Sequence, residues 1–260
     1  MTWSRASIVA VLLSTILCGC AQDAVPKPLL VSAASDLQDA FAELGAKFKA
    51  ETGVTVEFNF AASGMLAQQI RSGAKVDVFA SANVDFVDEL DHAGLVVSET
   101  KRVYARGRLI AWSRKDAKKT IGSLTDLLDP AVKRVAIANP VTAPYGMAAS
   151  ESLQNAGVWE GVKEKLVYGE NVRQTMEFAR SGNADVAIVS LSLTQGADGN
   201  GFLVPPDLHK PINQGVALVK GAKNEADARR FLEMLSGAEG RKTLLKFGFE
   251  VVAASDSSKR

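Results

Sequence analysis

The sequence predicts an α/β fold in which helices flank mixed sheets and a ligand cleft separates two lobes. Strand-like and helix-like stretches alternate regularly from residue 29 onward, which is typical of α/β folds. Four of the predicted helices begin just after a strand or loop, and these four starts are spread over both halves of the chain. Because open α/β sheets bind ligands beyond the carboxyl ends of their strands, the four helix starts predict one binding cleft.

In the first half of the chain, strands and helices alternate strictly. Apolar residues at helical spacing, ended by Gly53, predict the first helix, and Asn83 is a typical N-cap for the third. A short apolar or alternating run precedes each helix. The predicted elements are the strands Leu29–Ala33, Val54–Phe60 and Val76–Ala80 and the helices Asp36–Glu51, Met65–Ser72 and Asn83–His92.

The alternation continues after residue 107. The predicted strands are Arg108–Trp112, Arg134–Ala138, Ala184–Val189 and Ile212–Val219, and the predicted helices are Leu124–Leu128, Tyr145–Ala156, Val172–Arg180, Glu225–Leu235 and Ala238–Phe247. We expect residues 29–107 and 213–252 to form lobe 1 and residues 108–212 to form lobe 2. Hinges are then expected near Arg106–Arg108 and Pro211–Asn213, where the chain crosses between the lobes.

The N-terminus predicts an export signal over residues 1–20. Arg5 provides a positive charge, an apolar run follows, and small residues come after it. The sequence around Cys20 resembles a bacterial lipoprotein signal, in which that cysteine is lipidated. Cleavage after Ala21 is the alternative, because Cys18 is unusual within such a signal. No later segment approaches the ~20 apolar residues of a membrane span.

Composition excludes several classes of function. Lys plus Arg is 30 and Asp plus Glu is 29, interspersed along the chain, so no charged surface for nucleic acid or an anionic membrane is expected. Both cysteines lie in the signal segment, and the two histidines are His92 and His209, which excludes a cysteine or multi-histidine metal site. The glycine-rich phosphate-binding motifs and the serine-hydrolase motif are also absent, so no enzyme activity is predicted.

Two serine corners are the most informative local feature. Ser35 and Ser63 each follow an apolar run and small residues, and each stands where a helix begins. A helix start presents backbone N–H groups without partners and a partial positive charge, and a serine adds a hydroxyl donor. Two such corners facing one cleft predict an oxyanion site that needs no lysine or arginine. Singly, each serine also has the simpler interpretation of a helix N-cap.

Asp36, beside Ser35, is the one acidic residue next to these corners. We interpret it as a residue of the first helical turn that stabilises the helix dipole from outside the site.

A set of motifs in fixed order resembles the molybdate-binding proteins of bacterial ABC importers. Each motif is short, but together they extend over about residues 29–252. They are Ala33-Ala34-Ser35-Asp36-Leu37, Phe60-Ala61-Ala62-Ser63-Gly64, Asp77-Val78-Phe79-Ala80-Ser81-Ala82, Asn139-Pro140 to Pro144-Tyr145-Gly146, Glu170-Asn171-Val172-Arg173 and Lys246-Phe247-Gly248-Phe249.

The resemblance implies a two-lobed periplasmic-binding-protein fold and a set of ligand residues. Ser35 and Ser63 would hold the oxygens through hydroxyl and backbone N–H groups, and Tyr145 and Val172 through backbone N–H groups. Many members of that family carry a tyrosine where this chain has Ser190, so the fifth contact stays open. The alternatives are that Ser190 donates through its shorter side chain, that Tyr145 supplies a hydroxyl, or that four groups suffice. From the residues alone, Tyr145 and Val172 are also consistent with packing roles, and Ser190 with a plain strand end.

The expected function is therefore capture of molybdate or tungstate and its delivery to an ABC permease. Molybdate at neutral pH only accepts hydrogen bonds, which suits a site of N–H and O–H donors. The alternatives are a receptor for another oxyanion, such as sulfate or phosphate, and a cleft hydrolase. We expect an exported monomer without a cofactor or bare metal cation, in the periplasm or cell envelope, whose membrane contact is limited to a lipid on Cys20.

Overall fold

The computed structural model describes residues 27–251, and these residues form two mixed sheets flanked by helices. This architecture confirms the predicted α/β class. The strands are β1 Leu29–Ala34, β2 Val56–Ala61, β3 Val78–Ser81, β4 Arg102–Gly107, β5 Leu109–Arg114, β6 Val135–Ala138, β7 Leu166–Gly169, β8 Val186–Ser190, β9 Gly199–Leu203, β10 Ile212–Leu218 and β11 Glu250–Val251. The α-helices are α1 Gln38–Thr52, α2 Ser63–Arg71, α3 Val84–His92, α4 Pro144–Asn155, α5 Trp159–Val162, α6 Val172–Arg180, α7 Glu225–Ser236 and α8 Ala238–Lys246.

The first sheet has the strand order β11-β4-β10-β3-β1-β2, and the second has the order β7-β6-β8-β5-β9. In each sheet a parallel group, β3-β1-β2 or β7-β6-β8, is extended by antiparallel strands. We call the first sheet with its helices lobe 1 and the second with its helices lobe 2. The strands of lobe 1 come from residues 29–107 and 212–251, whereas those of lobe 2 come from residues 109–203. The assignment of the connecting loops, and with it the predicted lobe bounds, stays a prediction.

The core of lobe 1 contains a cluster of aromatic rings. Phe231 of α7 is fully buried and packs edge-on against Phe41 and Phe48 of α1, with ring centroids 5.8 and 5.6 Å apart. Phe58 of β2 joins the same cluster at 6.3 Å. Edge-to-face aromatic pairs add to the stabilisation from buried apolar area. The cluster therefore fixes α1, and with it the first serine corner, against the sheet.

Helix ends follow the sequence signals. Gly53 ends α1 with a φ of 75°, a left-handed conformation that glycine adopts without strain. Asn83 caps α3, because its side chain accepts a hydrogen bond from the backbone N–H of Asp85. The predicted short helix at Leu124–Leu128 is present as a 3-10 helix.

Strands β4, β7, β9 and β11 and the short helix α5 were not predicted. For β9 the reason is its glycines, which are typical of turns. A Cβ at Gly199 would lie 2.3 Å from Trp112 Cζ2, and one at Gly201 would lie 2.5 Å from Ile110 Cδ1. Both contacts are to side chains of the neighbouring strand β5, so glycine is needed here for close packing between strands.

The chain crosses between the lobes twice. Arg108 alone separates β4 of lobe 1 from β5 of lobe 2, and the return path runs from β9 to β10. The two crossing strands of lobe 1 pair with each other, with Ile212 opposite Gly107. The predicted signal, including Cys20, lies outside the described residues, and between residues 27 and 251 no helix is long and apolar enough to cross a membrane.

Candidate functional site

The four predicted helix starts meet at one small cavity between the lobes. Two starts come from lobe 1, after β1 and β2, and two come from lobe 2, where α4 and α6 begin. The cavity is much smaller than the ~300–1,000 Å³ that is usual for drug-sized ligands. It is lined by Ala34, Ser35, Asp36, Ala61, Ala62, Ser63, Ala82, Ala143, Pro144, Tyr145 and Val172.

The two serine corners have the same backbone geometry. Ala34 and Ala62 precede the serines with extended conformations, at φ −59° and ψ 141° and at φ −67° and ψ 139°. Ser63 is thus the first residue of α2, and Ser35 is the first residue of a 3-10 turn, Ser35–Leu37, that leads into α1; neither corner has a side-chain cap. The N-cap interpretation of these serines is wrong. As first-turn residues they present their own backbone N–H groups at the helix end.

The hydroxyl of Ser63 is oriented by a neighbouring strand. Its Oγ accepts a hydrogen bond from the backbone N–H of Ala82 at 3.0 Å, in a fully buried position. A hydroxyl has one proton to donate in addition to its acceptor sites. Because the bond to Ala82 uses an acceptor site, the proton stays available for a ligand in the cavity that Ser63 lines.

The helix starts of lobe 2 are built differently. Asn171 caps α6 and accepts from the N–H groups of Arg173 and Gln174, each at 3.1 Å, so Val172 stands in the first turn of the helix. Helix α4 begins at Pro144, a residue suited to a first turn, and Tyr145 follows. Tyr145 and Val172 can therefore contact an anion through their backbone N–H groups, whatever side chain each residue carries.

Gly146 allows α4 to start close to the end of β6. A Cβ at this position would lie 2.2 Å from the carbonyl oxygen of Ala138 and 2.7 Å from its carbonyl carbon. Backbone atoms at that distance cannot move aside cheaply, so a larger residue would shift the start of α4. Glycine at this position therefore brings the helix start to the cavity.

Asp36 does not lie outside the site, as the sequence interpretation had placed it. It is 1% exposed, it lines the cavity, and its Oδ2 accepts a hydrogen bond from Gln214 Nε2 at 2.8 Å. Its Oδ1 is buried without a hydrogen-bond partner of normal geometry among residues 27–251. Burial raises the pKa of Asp36 from 3.8 to about 6, although hydrogen bonding from Tyr145 and Gln214 lowers it. The residue is buried because lobe 2 covers the first helical turn, which sequence does not show.

Ser190 lies behind the cavity rather than on its wall. It ends β8 with 1% exposure, and its Oγ lies 2.8 Å from Ser192 Oγ. The ring of Tyr145 reaches this region, where its hydroxyl lies beside Ser190 and Asp36 and 3.4 Å from Gln214 Nε2. Burial, with the negative charge of Asp36, raises the pKa of Tyr145 well above 10.0, so the hydroxyl keeps its proton.

The lobes are in contact on both sides of the cavity. The backbone N–H of Gly64, at the start of α2, donates to the carbonyl oxygen of Thr142 in lobe 2 at 2.9 Å. On the other side, Arg173 of α6 pairs with Asp39 of α1 at 3.3 Å. The side chains of this pair are 31% and 45% exposed, so the pair itself contributes little. The structure therefore shows the cleft closed.

A larger cavity, of about 330 Å³, lies in lobe 1 at the opposite end of the sheet. It includes Pro28, Asp77 and Val219, and four lysines surround it. It receives residues from lobe 1 only, and none of the four helix starts. Within the described part of the chain, no group of three or more His, Cys, Asp or Glu is placed to hold a metal ion.

Two features of the site were not anticipated from sequence, and a third was left open among alternatives. Gln214 is separated from Asp36 by 178 residues and carries no motif. Gly64 looked like a small neighbour of Ser63, whereas it contacts the opposite lobe. The hydroxyl of Tyr145 was one of three alternatives for a missing donor, and the structure places it next to Ser190.

Comparisons with known proteins agree with this geometry. The family model of the bacterial extracellular solute-binding proteins matches residues 29–250. The molybdate-binding protein ModA of Rhodobacter capsulatus is 35% identical over 232 residues, which are 89% of this chain and 91% of that protein. The putative ABC transporter substrate-binding lipoprotein YvgL of Bacillus subtilis is 29% identical over 224 residues, 85% of each chain. Among solved structures, the periplasmic molybdate-binding protein of Azotobacter vinelandii matches with a TM-score of 0.83 at 26% identity, covering 86% of this chain and 100% of that one.

Proposed function

The chain belongs to the family of bacterial extracellular solute-binding proteins, and from that premise we propose that it captures molybdate or tungstate and delivers it to an ABC importer. The observation that carries the proposal is the meeting of four helix starts from two lobes at one small cavity. Helix N-termini favour anions through unpaired N–H groups and the helix dipole. The relatives named as molybdate-binding proteins support the choice of oxyanion.

The donor chemistry favours an anion that carries no proton. The lining residues supply backbone N–H and hydroxyl donors, and no lysine or arginine is among them. Molybdate at neutral pH offers four acceptor oxygens, so every donor of the site finds a partner. A ligand group left unpaired would cost about 1–3 kcal/mol. Sulfate is also a dianion without a proton, and its rejection depends on size.

Asp36 is the observation that favours a second candidate. A buried carboxylate that borders the cavity would accept a hydrogen bond from the P–OH group of hydrogen phosphate, whereas it repels a bare dianion. A receptor for phosphate or a similar protonated oxyanion is therefore the alternative to test. Under the first proposal, the donors of the four helix starts outweigh the repulsion from this single carboxylate.

Binding follows from closure of the lobes. The anion enters an open cleft and meets the helix starts of one lobe. Rotation about the two crossings, near Arg108 and Ile212, then brings the other lobe's helix starts onto the anion. Closure removes water, which strengthens each hydrogen bond to the anion.

Calorimetric titration of the mature protein tests the proposal. Molybdate, tungstate, sulfate and phosphate are compared at one ionic strength. We expect tight binding of molybdate and tungstate and weak binding of the other two. Binding of phosphate without a molybdate signal would establish the second candidate and overturn the first.

A pair of variants tests the site itself. Ser35→Ala combined with Ser63→Ala removes two hydroxyl donors and keeps both backbone N–H groups. The two lost hydrogen bonds together contribute about 1.5 kcal/mol or more to binding, so we expect at least a tenfold loss of affinity. Ser123→Ala, at a 3-10 helix start of lobe 2 away from the cavity, is the matched control. Unchanged affinity in the double variant would show that the hydroxyls do not bind the anion.

The remaining parts of the proposal concern the setting of the protein. We propose a monomeric, non-catalytic receptor that binds its oxyanion without a cofactor and is held at the cell envelope through Cys20. A net charge of only +1 supports the absence of nucleic acid among its ligands. Radiolabelled-lipid incorporation, compared between the wild type and Cys20→Ala, tests the anchor.

A further inference from the structure

Asp36 is an acidic side chain that closure of the lobes buries. It belongs to lobe 1, at the turn that leads into α1, and it is 1% exposed in the closed structure. Lobe 2 covers it with the hydroxyl of Tyr145 and with Ser192, whose Oγ donates to the backbone carbonyl of Asp36 at 2.7 Å. Separation of the lobes would remove both groups and open the carboxylate to water, which closure would then remove.

The closed structure replaces the lost water only in part. Oδ2 accepts from Gln214 Nε2 at 2.8 Å, whereas Oδ1 has no hydrogen-bond partner of normal geometry in the described chain. The groups that face the carboxylate are neutral, and none of the ion pairs of residues 27–251 includes it. They are Gln214 on β10, Tyr145 on α4 and, next to Gln214, Tyr104 on β4.

A buried charge without a cationic partner costs free energy, and hydrogen bonds recover only part of that cost. Desolvation by burial is the largest influence on the pKa of Asp36 and outweighs the hydrogen bonds from Tyr145 and Gln214. The charged carboxylate is therefore less favourable in the closed protein than in water. A bound anion in the cavity adds a second negative charge beside it.

We propose that the Asp36 carboxylate opposes lobe closure and so shortens the lifetime of the closed, anion-bound state. This inference rests on the proposed function, because it concerns release of the same oxyanion. Asp36 acts here as a positioning residue, since it shifts the balance between open and closed lobes. The Tyr145 hydroxyl donates toward the Asp36 carboxylate and so reduces its unfavourable effect on closure. Such a group speeds release of the anion, which a receptor that delivers its ligand to a permease requires.

Asp36→Asn tests the proposal, because it keeps the shape of the side chain and removes the charge. In stopped-flow measurements with molybdate, we expect the dissociation rate constant to fall roughly tenfold or more. The association rate constant should stay unchanged, since the anion enters the open cleft. A merely structural role predicts the reverse, with faster release from a less stable protein.

Tyr145→Phe provides the second variant. It keeps the backbone N–H that faces the anion and removes only the hydroxyl, so the Asp36 carboxylate loses a donor and release should become faster. In the Asp36→Asn background the same change should have a much smaller effect, because an amide does not need that compensation. Equal effects in both backgrounds would show that the two side chains act independently.

Asp39→Asn is the matched control. It removes the same charge three residues further along the chain, from an exposed side chain that pairs with Arg173 across the cleft. General repulsion between acidic residues and the anion would slow release in both variants. Under our proposal, only Asp36→Asn slows it.

Small-angle X-ray scattering of the ligand-free variants separates this inference from the proposed function. Asp36→Asn should give a smaller radius of gyration than the wild type, because more molecules are closed. That result is independent of the identity of the anion. An unchanged radius, together with unchanged or faster release, overturns the inference, whereas absence of molybdate binding in the wild type overturns the proposed function.

Discussion

Gly64→Ala offers a direct test of the closed structure, because its effect should differ between the open and closed states. An added Cβ would lie 3.0 Å from the carbonyl oxygen of Thr142 and 3.2 Å from its Cα, both backbone atoms of lobe 2. It would also lie 3.2 Å from Cζ of Phe86, the movable end of a side chain in lobe 1. The contact with Thr142 exists only when the lobes are closed.

The magnitude follows from the crowding. Contacts of this length require Thr142 to move by a few tenths of an ångström, and overpacking of this kind typically costs about 1–3 kcal/mol. That range corresponds to a roughly 5- to 150-fold weaker affinity for molybdate. In the open state alanine has the higher helix propensity, by up to about 1 kcal/mol. The variant should therefore bind more weakly while the ligand-free protein is equally or more stable.

Isothermal titration calorimetry gives the affinity, and urea unfolding of the ligand-free protein gives the free energy of unfolding. Gly122→Ala is the matched control, because the nearest atom to its added Cβ is Asp126 Oδ2 at 3.7 Å. It should change neither quantity by more than the error. Wild-type affinity in Gly64→Ala would refute the reasoning, since the anion-bound protein would then lack the contact between Gly64 and Thr142.

Three further predictions concern stability. With the anion bound and the lobes closed, Asp36→Asn should be more stable than the wild type above about pH 6, because the pKa of Asp36 is raised from 3.8 to about 6 in the closed protein. At about 1.4 kcal/mol per pH unit the gain is at most about 3 kcal/mol, and it should disappear as the pH falls to about 4. Urea unfolding across that pH range measures it, and a gain that grows toward low pH would contradict the assignment. Asp77→Ala removes a buried carboxylate that accepts hydrogen bonds from the N–H groups of Leu30 at 2.9 Å and Lys223 at 2.8 Å. The free energy of unfolding should therefore fall by about 2–4 kcal/mol. A loss below about 0.5 kcal/mol would show that water replaces the carboxylate. Phe231→Ala should cost about 3–5 kcal/mol in the same assay, and a cost below 1 kcal/mol would mean that the aromatic cluster collapses onto the cavity.

The fold was accessible from sequence because its signals are local. Each serine corner consists of a strand, small residues and a helical pattern in one short stretch, and the structure brings four of the five proposed ligand residues to one cavity. Ser190 lies behind that cavity, so its contact with the anion stays a prediction.

The environment of Asp36 was not accessible, since it depends on residues distant in sequence. Gln214 reaches Asp36 within lobe 1 from 178 positions further along the chain, and Ser192 reaches it from lobe 2 across 156 positions. An acidic residue in a first helical turn is ordinarily a solvent-exposed partner of the helix dipole. The local pattern therefore predicted an exposed Asp36 that stabilises the helix dipole. That prediction suits an isolated helix, and it is wrong for this protein because Asp36 is buried.

The topology of the crossings has a consequence for biosensor design. Lobe 2 is inserted into lobe 1, so the first and last described strands, β1 and β11, lie in the same sheet. Fluorophores attached at the two ends of the described chain would keep a nearly constant separation while the cleft closes. A sensor for the bound anion needs one dye in the insertion, for example at Tyr168, which is 52% exposed on β7. The other dye can then replace Leu245 of α8, which is 58% exposed in lobe 1.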